Sequence, residues 1–258
     1  MTVLLEAREL RIERGERQLC TALDLRIEST QSWALLGRNG AGKTTLLHTL
    51  AGLHMPAAGS ITCAEQALHT LAPRARAQHI AVLLQHSGPG FGASVLETVL
   101  TGRHPHLGAF SWESRDDIAI ATRCLAIAGV EGLAQRPLTT LSGGELRRVE
   151  IARVLAQQAP LALFDEPFNH LDIAHQAAIL RALRTHCVGP ANAMLMVVHD
   201  LNIAWHACTH WLLLDGHGGW HAGPRDTVAE RVLREPLLGH PVERLGEGER
   251  AVFRIPLD

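Results

Sequence analysis

The chain has 258 residues, which is enough for one large domain or two small ones with a sizeable core. Hydrophobic residues make up 47% of it and charged residues 19%, a composition typical of globular rather than disordered proteins. The formal net charge of −2 at pH 7 gives no electrostatic reason to expect nucleic acid as a partner. No signal peptide is recognisable and no apolar run approaches the roughly 18 residues of a membrane span, so any work at a membrane is expected to need partner proteins.

Cysteine and histidine usage argues against a metal-binding protein and against a disulfide-stabilised protein. The sixteen histidines form no H-E-x-x-H motif and no close cluster with cysteine, so most are expected at the surface, with metal binding as the less favoured alternative. The five cysteines contain no C-x-x-C pair, which predicts reduced thiols in the cytosol rather than a disulfide framework or a zinc site. They are Cys20, Cys63, Cys124, Cys187 and Cys208.

The first part of the chain is predicted to form strands that lead to a glycine-rich loop. Residues 3–12 mix apolar and charged side chains and residues 23–27 alternate between them, which predicts strands on either side of a turn at Gly15. The apolar run 33–36 predicts a buried strand, and residues 44–50 predict the start of a helix.

Between that strand and that helix, the pattern G-x-x-x-x-G-K-T predicts a phosphate-binding loop. Its glycines let backbone N–H groups surround a phosphate, and the helix N-terminus adds a favourable dipole. Lys43 is predicted to reach the β- and γ-phosphates, and the Thr44 hydroxyl to hold Mg²⁺. The alternative, a Gly-rich turn with a chance lysine, fits this context less well. Lys43 is also the only lysine of the chain, and it stands where a compact ammonium is needed. The predicted binding residues are Gly37, Arg38, Asn39, Gly40, Ala41, Gly42, Lys43, Thr44 and Thr45.

The middle of the chain is predicted to be mainly helical. Residues 79–85 predict a second buried strand that ends at the polar Gln85. A capping-box pattern at 94–97 and helical periodicity over 116–128 then predict helices, within a stretch from about 93 to 158.

Within this stretch, the motif Leu-Ser-Gly-Gly-Glu at 141–145 opens another predicted helix. Ser142 and Glu145 fit a capping box, so the motif taken alone indicates an ordinary capped helix. The alternative is a second anion site, because Gly143 and Gly144 expose backbone N–H groups at a helix N-terminus. The apolar residues Leu146, Val149, Ala152 and Leu155 recur at helical spacing, which predicts the helix.

Two further apolar strands end in polar side chains. Residues 160–167 predict a strand ending in Asp165, near Mg²⁺, and Glu166, which would act on the attacking water as general base. A helix cap or a turn is the alternative interpretation of this acidic pair. Residues 193–198 predict a strand ending at His199, which is either a catalytic histidine or a satisfied core or capping histidine.

In this order the motifs resemble the ATP-binding subunit of an ABC transporter, over roughly residues 3–225. Leu171-Asp172, between the acidic pair and His199, is part of the same set of motifs. The motif LSGGE is what separates this family from other phosphate-loop proteins. The resemblance implies an α/β fold with a RecA-like P-loop NTPase core, an antiparallel β-subdomain and an inserted α-helical subdomain. It implies a single nucleotide-binding domain over residues 1–258. Its parts would be the core with the β-subdomain at about 1–92 and 159–240, the helical subdomain at about 93–158 and a tail at about 241–258.

The resemblance assigns ATP and Mg²⁺ to a set of residues in each copy. Residues 37–45 correspond to the Walker A loop, and Gln85 to the Q-loop glutamine, which touches Mg²⁺ and senses the membrane subunit. Asp165 corresponds to the Walker B acid, Glu166 to the catalytic base and His199 to the switch histidine at the γ-phosphate. With Lys43, the residues implied in catalysis are therefore Glu166, His199 and Gln85, and those implied at the metal are Thr44, Gln85 and Asp165.

A second set of residues is implied to act on ATP held by another copy. Ser142, Gly143, Gly144 and Glu145 correspond to the signature that contacts that γ-phosphate, and Asp172 belongs to the D-loop. The resemblance thus implies a head-to-tail dimer around two ATP molecules. It also implies two transmembrane permease subunits as partners and, indirectly, a periplasmic substrate-binding protein. The subunit would lie peripherally at the cytoplasmic face of the inner membrane.

Two stretches narrow the resemblance to importers of iron–siderophore complexes, haem and cobalamin. They are residues 102–108, Gly-Arg-His-Pro-His-Leu-Gly, and residues 169–176, Asn-His-Leu-Asp-Ile-Ala-His-Gln. An exporter subunit shares every ATP motif and stays an alternative. A soluble ABC ATPase is less favoured, because such proteins carry long coiled-coil insertions or two cassettes and this chain shows neither. A phosphate-loop kinase is also less favoured, because it would leave LSGGE and His199 unexplained.

Several positions depart from the family pattern. The family normally stacks an aromatic residue on adenine near the N-terminus, but this chain has no tyrosine, and Arg14 occupies the matching place. Because a guanidinium plane can stack on a base, we predict that Arg14 does so. Glu145 stands where glutamine is common, Leu146 and Arg147 also differ, and Phe168 stands where serine or threonine is usual. Since Glu166 is present, hydrolysis is expected to be intact.

Overall fold

A computed structural model describes residues 1–15, 17–85, 92–108 and 111–256. Its strands are β1 (Val3–Arg14), β2 (Arg17–Glu28), β3 (Ser32–Gly37), β4 (Ala58–Cys63), β5 (Gln66–Ala67), β6 (Ile80–Leu83), β7 (Leu161–Asp165), β8 (Ala193–Val197), β9 (His210–Leu214), β10 (Trp220–Pro224), β11 (Glu243–Leu245) and β12 (Val252–Arg254). Its α-helices are α1 (Lys43–Leu50), α2 (Pro73–His79), α3 (Val95–Leu100), α4 (Arg115–Ile127), α5 (Gly143–Gln157), α6 (Ile173–Cys187), α7 (Leu201–Ala207) and α8 (Arg225–Arg234). The predicted strands and helices are therefore confirmed, with shifts of a few residues at their ends.

A six-stranded sheet in the order β10-β9-β3-β8-β7-β6 forms the centre of the fold. All neighbouring pairs except β10 with β9 are parallel. Strands β7 and β8 are buried along their whole length, as expected for a parallel sheet covered on both faces. Because parallel strands end at one edge, the segments after β3, β6, β7 and β8 meet there, which is where α/β proteins bind ligands.

A second, antiparallel sheet in the order β2-β1-β4-β5 packs with α1 against one face of the central sheet. Helices α3 to α8 belong to the apolar cluster on the other face. This arrangement agrees with the predicted core, β-subdomain and helical insertion, because α3, α4 and α5 fall within residues 93–158. In the part of the chain that is described, no helix has the length and apolarity needed to cross a bilayer.

The apolar residues of α5 all pack on the core. Val149 and Ala152 are buried, and Leu146 and Leu155 are partly buried against the same apolar cluster, while Arg147 and Glu150 are almost fully enclosed as well. The reason is that α5 packs against other helices on one side and meets the strand ends β6 and β7 on another. Charged side chains can be enclosed there because they pair with each other and with backbone carbonyls.

The tail packs on α7, immediately after the histidine at the end of β8. Phe253 on β12 joins Trp205 and Trp211 in an aromatic cluster, with ring centroids 5.3 and 5.9 Å away. The Asn202 side chain pairs with the Phe253 backbone, accepting its N–H at 2.7 Å and donating to its carbonyl at 3.2 Å. The last elements therefore hold the start of α7 against the core.

Candidate active site

The loop between β3 and α1 is held open by glycine. Gly42 has φ +101° and precedes α1 without any side-chain cap, so the N–H groups of the first helical turn face outward unpaired by a side chain. A Cβ on Gly42 would lie 2.9 Å from Leu19 Cβ, so both the backbone angle and the space demand glycine. The result is a helix N-terminus suited to binding an anion.

Lys43 is nearly enclosed and spans this loop. Its Nζ donates to the backbone carbonyls of Gly37 at 2.8 Å and Arg38 at 3.0 Å. Burial lowers the pKa of Lys43, and the nearby carboxylates of Glu166 and Asp165 oppose that shift. A phosphate entering the loop would exchange these carbonyls for stronger, charge-assisted bonds.

Asp165 ends β7 and is fully buried. Among the described residues neither of its carboxylate oxygens has a hydrogen-bond partner, and His48 Nε2 lies 4.0 Å from Oδ2. Burial raises the pKa of Asp165, and the adjacent Thr44 hydroxyl opposes the shift without meeting hydrogen-bond geometry. Buried carboxylate oxygens beside a hydroxyl and lacking a donor fit a hard cation such as Mg²⁺.

Glu166 is oriented by three side chains. Its carboxylate accepts hydrogen bonds from Gln85 Nε2 at 3.0 Å and Asn169 Nδ2 at 2.5 Å, and contacts His199 Nε2 at 2.7 Å. Burial raises its pKa, but the bonds from His199 and Asn169 outweigh this and lower the pKa overall. Its backbone has φ +49°, a left-handed conformation that a side chain disfavours and that often marks functional sites. The predicted cluster of Gln85, Glu166 and His199 is thus assembled; Asn169 is an addition that sequence analysis had missed.

Lys43, Gln85, Glu166 and His199 line a cavity of about 610 Å³, a size typical of ligand sites. Arg14 and Arg17 both line it, and the sequence analysis had not singled out Arg17; stacking of Arg14 on adenine stays a prediction. Arg14 and Arg17 are backbone partners in the antiparallel pairing of β1 with β2. Arg17 Nη2 donates to the carbonyl of Gly216 at 3.1 Å. The remaining lining residues are Leu19, Asn39, Gly40, Gly42, Thr44 and Thr45.

The LSGGE motif forms a complete capping box at the start of α5. Ser142 Oγ accepts from the backbone N–H of Glu145 at 3.3 Å, and the Glu145 carboxylate accepts from the backbone N–H of Ser142 at 2.8 Å. These bonds lower the pKa of Glu145. Asp172 likewise caps α6, accepting from the His175 backbone N–H at 2.8 Å.

The described residues that line the cavity around Lys43 do not include Ser142, Gly143, Gly144, Glu145 or Asp172. A Cβ on Gly144 would lie 2.8 Å from the carbonyl of His170, so the signature packs directly on the segment that leads to Asp172. The structure therefore places these five residues at the starts of α5 and α6, outside the lining of that cavity, and their action on ATP held by another copy stays a prediction.

Residues 102–108 serve packing in this chain. A Cβ on Gly102 would lie 2.3 Å from the carbonyl of Arg153, so only glycine permits the close approach to α5. Arg103 pairs with Asp117 at 2.8 Å and donates to the carbonyl of Ala156 at 2.8 Å. The stretch joins α4 and α5 and contributes no residue to the cavity around Lys43.

Comparisons with known proteins agree with this geometry. A family model described as ABC transporter matches residues 20–169. The hemin import ATP-binding protein HmuV of Pseudomonas entomophila is 40% identical over 240 residues, which cover 91% of this chain and 91% of that protein. The cobalamin import ATP-binding protein BtuD of Halobacterium salinarum is 37% identical over 201 residues, which cover 78% of this chain but 50% of that protein.

Solved structures share the fold along nearly the whole chain. A metal-chelate type ABC transporter in an inward-facing conformation matches with a TM-score of 0.82 and 26% identity, over 99% of this chain and 97% of that one. A dimeric ATP-binding cassette bound to ADP and Pi matches in fold with a TM-score of 0.75 at 23% identity, over 86% of this chain and 99% of that one. By its family match and its relatives, the chain belongs to the ABC transporter family, as an ATP-binding and ATP-hydrolysing subunit.

Proposed function

We propose that this chain hydrolyses ATP to drive an importer that takes up a metal chelate, with haem or cobalamin as the cargo class. The observation that carries the proposal is the cluster of Gln85, Glu166 and His199 opposite the uncapped loop around Lys43. The cargo class comes from the relatives, because the hemin import protein matches over nine-tenths of both chains and the matching transporter structure is of the metal-chelate type.

Each side chain of the cluster has a distinct task in this proposal. Lys43 and the loop N–H groups bind the phosphates, and Asp165, Thr44 and Gln85 would hold Mg²⁺, which supplies neutralising charge when bound. Glu166 accepts a proton from the attacking water, and its three neighbours keep the carboxylate ionised and aimed. His199 contacts the γ-phosphate.

The second group of residues gives the proposed assembly. Since Ser142, Gly143, Gly144, Glu145 and Asp172 do not line the cavity around Lys43 in the described chain, they are free to complete the site of another copy. ATP would then favour closure of a two-fold dimer by contacts made only in the closed state. In this proposal the dimer binds two permease subunits at the cytoplasmic face of the inner membrane, and a periplasmic substrate-binding protein delivers the cargo.

The catalytic part is tested with Glu166→Gln. We expect hydrolysis to fall by about 10²–10⁴-fold, the usual contribution of a general base, while ATP binding persists. The variant should accumulate as an ATP-bound dimer in size-exclusion chromatography. Glu131→Gln, an exposed carboxylate in a surface turn, is the control and should hydrolyse ATP normally. Normal hydrolysis by Glu166→Gln would refute the base assignment.

The transport part is tested by purifying the tagged chain from its native membrane. We expect permease subunits to co-purify, and the binding protein of the same system to carry a haem or corrinoid with its visible absorption spectrum. Recovery with a membrane partner that expels lipids or peptides would support an exporter and refute import.

The base-stacking role of Arg14 is proposed from its place in the cavity wall. Arg14→Ala should weaken ATP binding but leave the affinity for inorganic triphosphate unchanged, because only the stacked base is lost. Arg17→Ala is the comparison across the same turn. Unchanged ATP affinity of Arg14→Ala would refute stacking, and an equal loss for triphosphate would make Arg14 a phosphate contact.

A further inference from the structure

Arg147 lies on the second turn of α5 with 4% of its surface exposed. Its Nη1 donates to the carbonyl of Leu84 at 2.7 Å and to Glu150 Oε2 at 3.1 Å. Its Nη2 donates to the carbonyls of Asp165 and Glu166, the latter at 2.9 Å. One guanidinium therefore binds three backbone carbonyls from two separate strand ends.

These three carbonyls belong to the turns that carry the hydrolytic side chains. Leu84 directly precedes Gln85, the Asp165 carbonyl is part of the peptide bond that joins the acid to the proposed base, and the Glu166 carbonyl is in the next peptide bond. Glu166 adopts a left-handed backbone, which persists only where the surroundings hold it. The planar fork of arginine matches several carbonyls at once, which a lysine ammonium on a flexible stem cannot do.

We propose that Arg147 is a positioning residue, which fixes the Glu166 backbone and the start of the Gln85 segment so that both side chains meet at the attacking water. This inference rests on Glu166 being the base, as proposed above. Because Arg147 is four residues beyond Gly143 on the same helix, it also connects the signature end of α5 to the hydrolytic groups of its own chain.

A purely structural role is the competing explanation, since Arg147 and Glu150 form a buried ion pair and breaking such pairs destabilises proteins. Arg103 provides a matched control. It is also buried, pairs with Asp117 at 2.8 Å and donates to the carbonyl of Ala156, but it makes no contact with the strand ends that carry the acids. A structural role predicts similar behaviour for the two arginines, whereas positioning predicts a kinetic difference.

The experiment measures kcat, KM for ATP and the unfolding midpoint for Arg147→Lys, Arg147→Gln and Arg103→Lys. We expect both Arg147 variants to lose about tenfold to hundredfold in kcat, as a misplaced catalytic group does, with KM changed less than about twofold. Arg103→Lys should keep kcat even where its unfolding midpoint drops. Unchanged kcat in both Arg147 variants, or unfolding of both without a matching defect in Arg103→Lys, would overturn the proposal.

A double variant separates this inference from the base assignment. If Arg147 acts through Glu166, Arg147→Lys should cause little further loss in the residual rate of Glu166→Gln. A full additional loss in that background would overturn the positioning role while leaving the base intact. Normal hydrolysis by Glu166→Gln alone would instead refute the proposed base.

Discussion

Two helix N-termini, those of α1 and α5, have glycine at their start and are built in opposite ways. The first begins after a left-handed Gly42, has no side-chain cap and no acid in its first turn. The second begins after Ser142, whose capping box with Glu145 pairs the backbone N–H groups of these two residues and places a carboxylate there. One end is open to an anion, and the other is partly capped within its own chain, with the N–H groups of Gly143 and Gly144 outside the capping box.

The carboxylates near these two ends also differ, both in their hydrogen bonds and in the direction of their pKa shifts. Asp165, beside α1, is buried without a donor and has a raised pKa, whereas Glu145 on α5 is bonded to Ser142 and has a lowered pKa. A nucleotide with its metal would supply a cation to Asp165 and an anion to the start of α1. At α5 the capping box leaves the N–H groups of Gly143 and Gly144 for a phosphate, which another copy would present in the proposed dimer.

The largest effect is expected for Lys43→Ala, which tests the open end alone. A single chain should lose ATP affinity by about a hundredfold or more, because hydrogen bonds to charged groups contribute about 1.5–3 kcal/mol each and Lys43 can make two. Fluorescence titration with a labelled ATP analogue at a protein concentration too low for dimers would measure this. Unimpaired binding would mean that the loop around Lys43 is not the nucleotide site.

Gly143→Asp tests the capped end and should spare binding by a single chain. An aspartate in the first helical turn favours α5 itself, and a Cβ at Gly143 meets only ordinary contacts 3.7 Å away. Its charge would repel the γ-phosphate from another copy, so turnover should fall by about a hundredfold or more. Gly143→Ala, which adds the Cβ without the charge, is the control and should keep most of the activity.

Mixing the two inactive variants sharpens this prediction. A dimer of Lys43→Ala with Gly143→Asp contains one fully intact site, because each site takes its loop from one chain and its signature from the other. With random pairing, roughly a quarter of the wild-type rate should return, as half the dimers are mixed and each has one of two sites. No recovery under conditions that allow exchange of subunits would contradict a shared site.

The hydrolytic residues of the site were predictable because they stand where parallel strands end. Glu166 and His199 each follow an apolar run, and the sheet register brings those ends together. Arg17 and Arg147 were not predictable, since their contacts join elements far apart in sequence. Asn169 contacts Glu166 only three residues away, but that contact depends on the turn after β7, where Glu166 has a left-handed backbone. For Arg147 one signal existed, namely Glu150 three residues later on the same helix.

Asp165→Asn tests the unsatisfied carboxylate through stability. The raised pKa means that wild-type protein without nucleotide loses stability as pH rises through that pKa, since the buried charge is unpaired. The neutral variant should avoid this loss and be more stable near pH 7 by about 1–3 kcal/mol, the usual cost of an unsatisfied buried group. Calorimetry should then find that Mg²⁺ with ATP raises the unfolding midpoint of the wild type but far less that of the variant. Equal midpoints at all pH values would show that Asp165 is satisfied without a cation.

The smallest effect is expected for Glu145→Gln, which changes only the charge at the capped end. Glutamine can also accept the Ser142 backbone N–H, so α5 should keep its cap. Removing the carboxylate removes repulsion toward the phosphate of the other copy, so the ATP-bound dimer should tighten a few-fold, and more at low ionic strength than at high. Because the pKa of Glu145 is lowered, the wild-type repulsion should persist at neutral pH and fade only in acid.

Sedimentation of the Glu166→Gln protein, with and without the Glu145→Gln change, would measure this dimer affinity without hydrolysis. Glu97→Gln is the matched control, since Ser94 and Glu97 form the same kind of capping box at α3, which also lowers the pKa of Glu97. If charge at the signature is what matters, only the Glu145 variant changes the dimer affinity and its salt dependence. An equal change in both variants would mean that the effect comes from the cap and not from a phosphate across the interface, and α5 would then be an ordinary capped helix.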